Sequence, residues 1–390
     1  MLGLVLEGGG AKGAFHAGVV KALFEHGYQF DAVMGTSIGA INGAMIAQGD
    51  FELSYKMWQT VTPSKVMDVD DVRADSILNG RWTGGSIRYL FNILGSAISN
   101  KGMSTEKLRA LLNEYIDEDK LRASKIDFGV VTVDTSDKWF AVEIFKNEMP
   151  YGTIKDYILA SARFPAFRGD SIGGKRFIDG GVYDNLPINP LIRRGYNHII
   201  AVRTMSNMPH QRVIDASVRV DYIQPSEPLG TTLAFTTKRV NYNLKMGYFD
   251  GLRYVKGYAG KEYYIECIPD LALVTFMSQF REEMFTRLAT ILNVTSDPMD
   301  VFSALCNKLN KKKHHSFGMF QSFIVFLEIF AEALNIDRFQ IFNFPDFLAH
   351  IVNSYIAEDN LDAIERIKVD DIFKTIFLVI VDQIILSQVK

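Results

Sequence analysis

Gly35-Thr36-Ser37-Ile38-Gly39 sets a serine between two glycines, after the apolar run Ala32-Val33-Met34 and before the small-residue run Ala40 to Gln48. A G-x-S-x-G at a strand-to-helix junction is the sequence form of a nucleophile elbow, a sharp turn that presents the hydroxyl above the end of a sheet. Glycine is needed at Gly35 and Gly39 because side chains there would crowd the backbone and shield the hydroxyl. The following helix offers unpaired N–H groups and the positive end of its dipole, both favourable to developing negative charge. Ser37 is therefore the candidate nucleophile.

A second glycine cluster, Gly8-Gly9-Gly10-Ala11-Lys12-Gly13, follows the apolar run Leu2 to Leu6. Its backbone N–H groups are candidates to complete an oxyanion hole, where each donor is typically worth about 3 kcal/mol in the transition state. Gly8, Gly10 and Gly13 also fit the G-x-G-x-x-G of a dinucleotide-binding turn. That alternative requires an acidic residue ending the second strand. Asp31 stands at the start of that strand, and Gly35-Thr36-Ser37 occupy its end.

Outward from these loops, residues 1–50 read as strand 2–6, helix 14–25, strand 31–34 and helix 38–48. This alternation predicts an α/β fold with a mainly parallel sheet, helices on its faces, and a site at the carboxyl ends of the strands. His16, on the first helix, reads as packing or surface. Residues 51–105 look less regular, an insertion with one packed helix around Ile87–Leu94; a mobile cover over Ser37 at 80–100 is the sharper alternative. Ser104 or Thr105 caps a helix to Tyr115. Strands are expected at Phe128–Val133 and Trp139–Phe145, joined by the turn Asp134-Thr135-Ser136-Asp137, and a helix at Ile154–Ala162.

A serine nucleophile needs a base. Phe177-Ile178-Asp179-Gly180-Gly181 ends a short strand on an aspartate, although by itself the segment also fits a plain Asp-Gly turn. Asp184 is a second candidate acid. None of the seven histidines sits in a glycine-flanked loop after a strand, and His198 precedes the strand Ile199–Val202, at the wrong end of the sheet. A Ser–Asp dyad of Ser37 and Asp179 is what remains.

The three motifs, in this order and at strand ends, resemble the patatin-like phospholipases, serine acyl hydrolases that use a Ser–Asp dyad without histidine. Weaker echoes are Ala160-Ser161-Ala162, Asn185-Leu186-Pro187, and Gly247 with Asp250; Arg163 departs from the small or apolar residue expected there. The resemblance covers residues 1 to about 270. It implies a three-layer α/β/α domain in which Ser37 attacks an ester carbonyl and Asp179 accepts its proton. Gly8, Gly9, Gly10 and Ala11 would form the oxyanion hole, with Lys12, Gly13, Gly180 and Gly181 in supporting motifs. No cofactor or metal is implied. The expected substrate is a phospholipid or lysophospholipid at a membrane surface. A general carboxylesterase and a non-catalytic nucleotide- or partner-binding protein are the alternatives.

Composition agrees with a large globular chain. Of 390 residues, 48% are hydrophobic and 22% charged, and a net charge of −3 speaks against a nucleic-acid binder. Two cysteines provide neither a disulfide framework nor a cysteine-rich zinc site. The absence of a basic-then-apolar opening, and of an apolar run approaching the ~20 residues of a spanning helix, leads to the expectation of a cytoplasmic protein, at most peripheral to a membrane. Beyond Pro269, helical periodicity replaces strand signals, so residues 271–390 are expected to form a helical domain with Lys308–His315 as a basic linker. The apolar run Ile376–Val381 reads as a buried helix, with dimerisation or membrane docking as alternatives.

Overall fold

The computed structural model describes residues 1–66, 105–163, 171–278, 281–313, 318–357 and 361–388. The expected cover at 80–100 and the apolar helix around Ile87–Leu94 lie outside them. The chain forms two compact units, Met1–Val255 and Lys256–Lys390.

The first unit is built on an eight-stranded sheet, counted among the described residues: β1 (Leu2–Leu6), β2 (Ala32–Gly35), β3 (Asp127–Asp134), β4 (Phe140–Phe145), β5 (Ser171–Ile172), β6 (Lys175–Asp179), β7 (His198–Val202) and β8 (Arg219–Ile223). Their order is β5-β6-β3-β2-β1-β7-β8, with β4 also paired to β3. The β3-β2-β1-β7-β8 stretch is parallel; β4 and β6 join β3 antiparallel. The inner strands are almost continuously apolar because both faces are covered. On β3, Phe128 and Val130 pack against Ala40 and Ala44, while Val131, one residue on, packs with Met34 against Leu186 and Leu191 on the opposite face. Two helical layers therefore enclose the sheet.

Helix α1 (Gly13–Glu25) follows the first glycine loop and α2 (Ile38–Ala47) follows the elbow. Residues 51–60, expected to be irregular, form α3 (Phe51–Thr60), which buries Phe51, Ser54 and Trp58. Their 3.6-residue periodicity is present in the sequence, but the polar residues between them mask it. The helix Glu106–Tyr115 has Thr105 at its N-cap position, without a side-chain capping bond.

The second unit is helical, with a short parallel pair, β9 (Tyr264–Ile265) and β10 (Ile341–Phe342). It begins at Lys256 rather than Leu271 because β9 pairs with a strand far along the chain. The supposed basic linker is not one: Lys308 to Lys313 continue the helix Pro298–Lys313, since lysine is a good helix former and Leu309 is buried. Ile376–Val381 lie within the helix Asp371–Gln388, and Ile376, Phe377, Val379, Ile380 and Val381 all enter the core. The rings of Phe330 and Phe377 stack at 3.9 Å. Among the described residues no helix is long and apolar enough to cross a membrane.

One buried charge organises this unit. Glu328, 6% exposed, accepts backbone N–H bonds from Lys261, Glu262 and Tyr263 at 2.8–3.0 Å. Three donors on one carboxylate hold the loop before β9 to the helix Met319–Ala333. Glu328→Ala strands those donors, and urea denaturation of the full chain is expected to show a loss of about 3 kcal/mol.

Candidate active site

β2 delivers the chain to Ser37 at the carboxyl end of the sheet. Ser37 has φ 57° and ψ −125°, the positive-φ geometry of a tight elbow, at a cost of about 1–3 kcal/mol. The flanking glycines are steric necessities: a Cβ at Gly35 would stand 2.3 Å from the Gly39 carbonyl oxygen, and one at Gly39 2.1 Å from that of Leu6. Thr36 ties the turn down by donating its hydroxyl to the Asp184 carbonyl at 2.8 Å. The Ser37 N–H donates to Ser161 Oγ at 3.0 Å.

Asp179 ends β6 opposite Thr132 of β3. Its carboxylate accepts the Gly181 N–H at 2.8 Å and is 5% exposed. Burial pushes its pKa up to about 6, against the opposing effects of the Gly181 N–H and a side-chain hydrogen bond from Ser37. Ser37 and Asp179 are thus neighbours, although 142 positions separate them in the sequence. Gly180 allows the strand to end this close to β3, since its Cβ would lie 2.2 Å from the Val131 carbonyl oxygen.

Asp184 is differently employed. It is fully buried, and its Oδ1 accepts the N–H groups of Leu186 and Gln211 at 3.3 and 3.2 Å, which suits a structural brace rather than a base for Ser37. No histidine bonds to Ser37 or Asp179 among the described residues. His16 is fully buried against Asn42, and burial takes its pKa down to about 3. His198 opens β7 at the amino end and pairs with Asp221 at 2.8 Å.

The glycine loop corrects the expected donor set. Gly8 abuts the nucleophile, an added Cβ lying 3.3 Å from Ser37 Cβ, but its N–H already donates to the Asn185 carbonyl at 3.0 Å. Ala11 N–H donates to the Thr232 carbonyl at 2.8 Å. Both are committed to anchoring the loop. Gly9 and Gly10 donate to no acceptor among the described residues, are partly exposed, and remain the candidate oxyanion donors; Ile38, first residue of α2, is a further candidate on the same grounds. Lys12 is half-buried, and desolvation lowers its pKa against the pull of Glu7.

Asn185 belongs to the Asn185-Leu186-Pro187 echo noted in the sequence; the other residues that hold this geometry were not picked out there. Thr204 Oγ1 and Asn185 Nδ2 donate to the Gly8 carbonyl at 2.6 and 3.3 Å. Glu7, fully buried, accepts the N–H groups of Thr204 and Met205 at 2.6 and 3.1 Å. Only the acidic residue closing an apolar strand, Glu7, carries any local sign of such a role. Asp31 donates nothing to a ribose site: its carboxylate accepts the Leu2 N–H at 2.7 Å, at the opposite end of the sheet.

Starting at Ile38, the residue after Ser37, a mostly apolar cavity of about 350 Å³ is lined by Ile38, Ile41 and Met45 of α2, Met57 and Trp58 of α3, and Leu112. Trp58 is fixed there by its indole N–H, which donates to Asn42 Oδ1 at 2.9 Å.

A serine elbow at the carboxyl end of a mostly parallel sheet places the fold among α/β architectures that carry a nucleophile in this position. Residues 4–192 match the model of the patatin-like phospholipase family, and this part of the chain belongs to that family. Lysophospholipase NTE1 of Candida albicans is 29% identical over 208 residues, 52% of this chain and 13% of that protein. Patatin-like phospholipase domain-containing protein ZK370.4 of Caenorhabditis elegans is 28% identical over 204 residues, 51% of this chain and 13% of that protein. The match therefore spans only a small part of these relatives. The crystal structure of VipD from Legionella pneumophila aligns over 98% of this chain and 90% of that one, with 16% identity and a TM-score of 0.42, too distant to add to the argument.

Proposed function

We propose that this chain is a lipid acyl hydrolase that cleaves carboxylic esters of phospholipids or lysophospholipids. The observation that carries the reading is the placing of Ser37, on its strained elbow, beside the buried Asp179 carboxylate, whose pKa burial pushes up to about 6. Ser37 Oγ attacks the acyl carbonyl as its proton passes to Asp179. The N–H groups of Gly9 and Gly10 receive the oxyanion. Asp179 returns the proton to the departing alcohol, leaving an acyl-enzyme on Ser37. Water then attacks that ester as Asp179 takes its proton, and Asp179 returns that proton to Ser37 Oγ as the fatty acid leaves and the pair is restored. A base with pKa near 6 is ionised at neutral pH yet still basic enough to serve.

The cavity beside Ile38 supports an acyl chain as the group held during this cycle, since its volume falls in the range of ligand pockets and its wall is mostly apolar, with Asn42, Ser54, Lys65 and Glu114 among the exceptions. Membership of the patatin-like family and the name of the lysophospholipase relative agree with it. Fatty-acid release from phospholipid, lysophospholipid and triglyceride, with Ser37→Ala as the control, tests the reading. Release from the phospholipids that vanishes in Ser37→Ala supports it; equal or greater turnover of triglyceride assigns the chain to the general esterases.

Filling the cavity separates chain length from chemistry. Met45→Trp is expected to lower kcat/KM for long-chain esters by about tenfold relative to short-chain ones, measured in direct competition.

A further inference from the structure

The β3–β4 hairpin extends past the catalytic centre. Val130 is opposite Gly35, and β3 runs on four residues to Asp134, roughly 13 Å at strand spacing, in the direction of the carboxyl ends. At its tip two consecutive aromatic side chains face solvent, Trp139 at 69% and Phe140 at 63% exposure. Adjacent exposed aromatics form a contiguous apolar patch of the kind that marks an interaction site. The tip is not loose: the Thr135 N–H donates to the Arg176 carbonyl at 2.7 Å, the Arg176 N–H to Ser136 Oγ at 2.9 Å, and the Ser136 N–H to Asp134 Oδ1 at 2.9 Å.

Two further loops at the same end expose apolar side chains. Met205 follows β7, 47% exposed, with its N–H held by the Glu7 carboxylate. Leu233, 52% exposed, adjoins Thr232, whose carbonyl anchors the glycine loop. Cations flank the aromatic pair: Lys138 and Arg176 are exposed, and Lys175 is bridged to Asp134 at 3.2 Å. Asp137 is the opposing exposed acid, so the tip has an excess of one positive charge over Asp134 and Asp137.

We propose that this face docks on a phospholipid bilayer, with Trp139 and Phe140 entering the interface and Lys138 and Arg176 at the depth of the headgroup phosphates. The Trp139 indole, with its N–H edge, prefers the interface, the Phe140 ring adds buried hydrocarbon, and the basic residues beside them meet the phosphate charge. The docking rests on the acyl-hydrolase reading only for its purpose, which is to bring Ser37 to the lipid. Edge-to-edge pairing with a second copy is opposed by Glu143, a charged residue on edge strand β4 that is ion-paired with Arg193.

The test uses full-length Ser37→Ala, which cannot consume the lipid, co-sedimented with vesicles of phosphatidylcholine and phosphatidylserine. Adding Trp139→Ala and Phe140→Ala is expected to lower the partition coefficient by about tenfold or more. Leu53→Ala, an exposed apolar site on α3, is expected to leave it unchanged. Without the Ser37 change, the same pair should preserve turnover of a water-soluble short-chain ester and depress hydrolysis of vesicles. Undiminished vesicle binding by the double variant overturns the proposal, as does an equal loss with Leu53→Ala. So does a wild-type dimer, seen by sedimentation velocity, that dissociates on the same substitutions. A wild type that turns over no ester sinks the acyl-hydrolase reading, while the binding comparison still decides the docking.

Discussion

Asp179→Asn is expected to cut turnover by about 10³–10⁴-fold while making the folded chain more stable at neutral pH. The two effects have one origin. Burial raises the carboxyl pKa from 3.8 to about 6. Between those values the folded state keeps a proton that the unfolded chain has released, so stability rises as pH falls from about 6 toward 4. Above pH 6 the ionised, desolvated group costs about 3 kcal/mol, which the neutral amide does not incur. Asparagine can still accept the Gly181 N–H, so the turn survives, but it cannot take the proton of Ser37. Thermal unfolding at pH 7.5 and pH 4 checks the pairing of effects: about pH 7.5 the variant should melt above the wild type, and at the lower pH the advantage should shrink. A variant less stable at both values would show that the buried charge is compensated by contacts beyond Gly181 and Ser37.

Gly39→Ala is expected to be the most damaging single-methyl addition at the site. The new Cβ would meet the Leu6 carbonyl oxygen at 2.1 Å, and that oxygen belongs to the central strand β1. Backbone in the middle of a sheet has no rotamer to yield, so the amino end of α2 must move instead. A stability loss of about 3 kcal/mol or more is expected, together with displacement of Ser37 from Asp179. Urea denaturation and ester turnover on the same preparations measure both. The control is Gly27→Ala, where a Cβ meets nothing within 4 Å and the residual cost comes from φ +80° alone. Gly39→Ala should exceed it in stability loss and be alone in losing activity.

What could be read in the sequence is what is set locally. The elbow is a five-residue steric problem, so Gly35, Ser37 and Gly39 announce it; the β1, β2 and β7 runs are apolar because both faces of each strand are covered. The pairing of Ser37 with Asp179 was accessible through the order of the motifs and not through strand direction: β6 runs antiparallel to β3, and Asp179 reaches the site because β6 pairs with the far end of β3, Asp179 opposite Thr132. The oxyanion donors were not separable from their neighbours. Whether Gly8 or Ala11 has a free N–H depends on Asn185 and Thr232, which lie far along the chain. Thr204 and Glu7 were silent for the same reason: a threonine and a glutamate look ordinary until their partners are folded against them. The unit boundary moved to Lys256 because a two-residue strand is too short to show periodicity. The basic run misled through its charge, which marks solvent but not the lack of a helix.

The central claim is that Asp179 activates Ser37. The most direct measurement is the rate at which a fluorophosphonate labels the wild type and Asp179→Asn as pH is varied, with the modified peptide identified by mass spectrometry. The account predicts one adduct per chain, on Ser37, forming at a rate that rises with pH about a midpoint near 6 and is slow at every pH in Asp179→Asn. Labelling of Ser37 at the same rate in both proteins, or an adduct on a different residue, would contradict it.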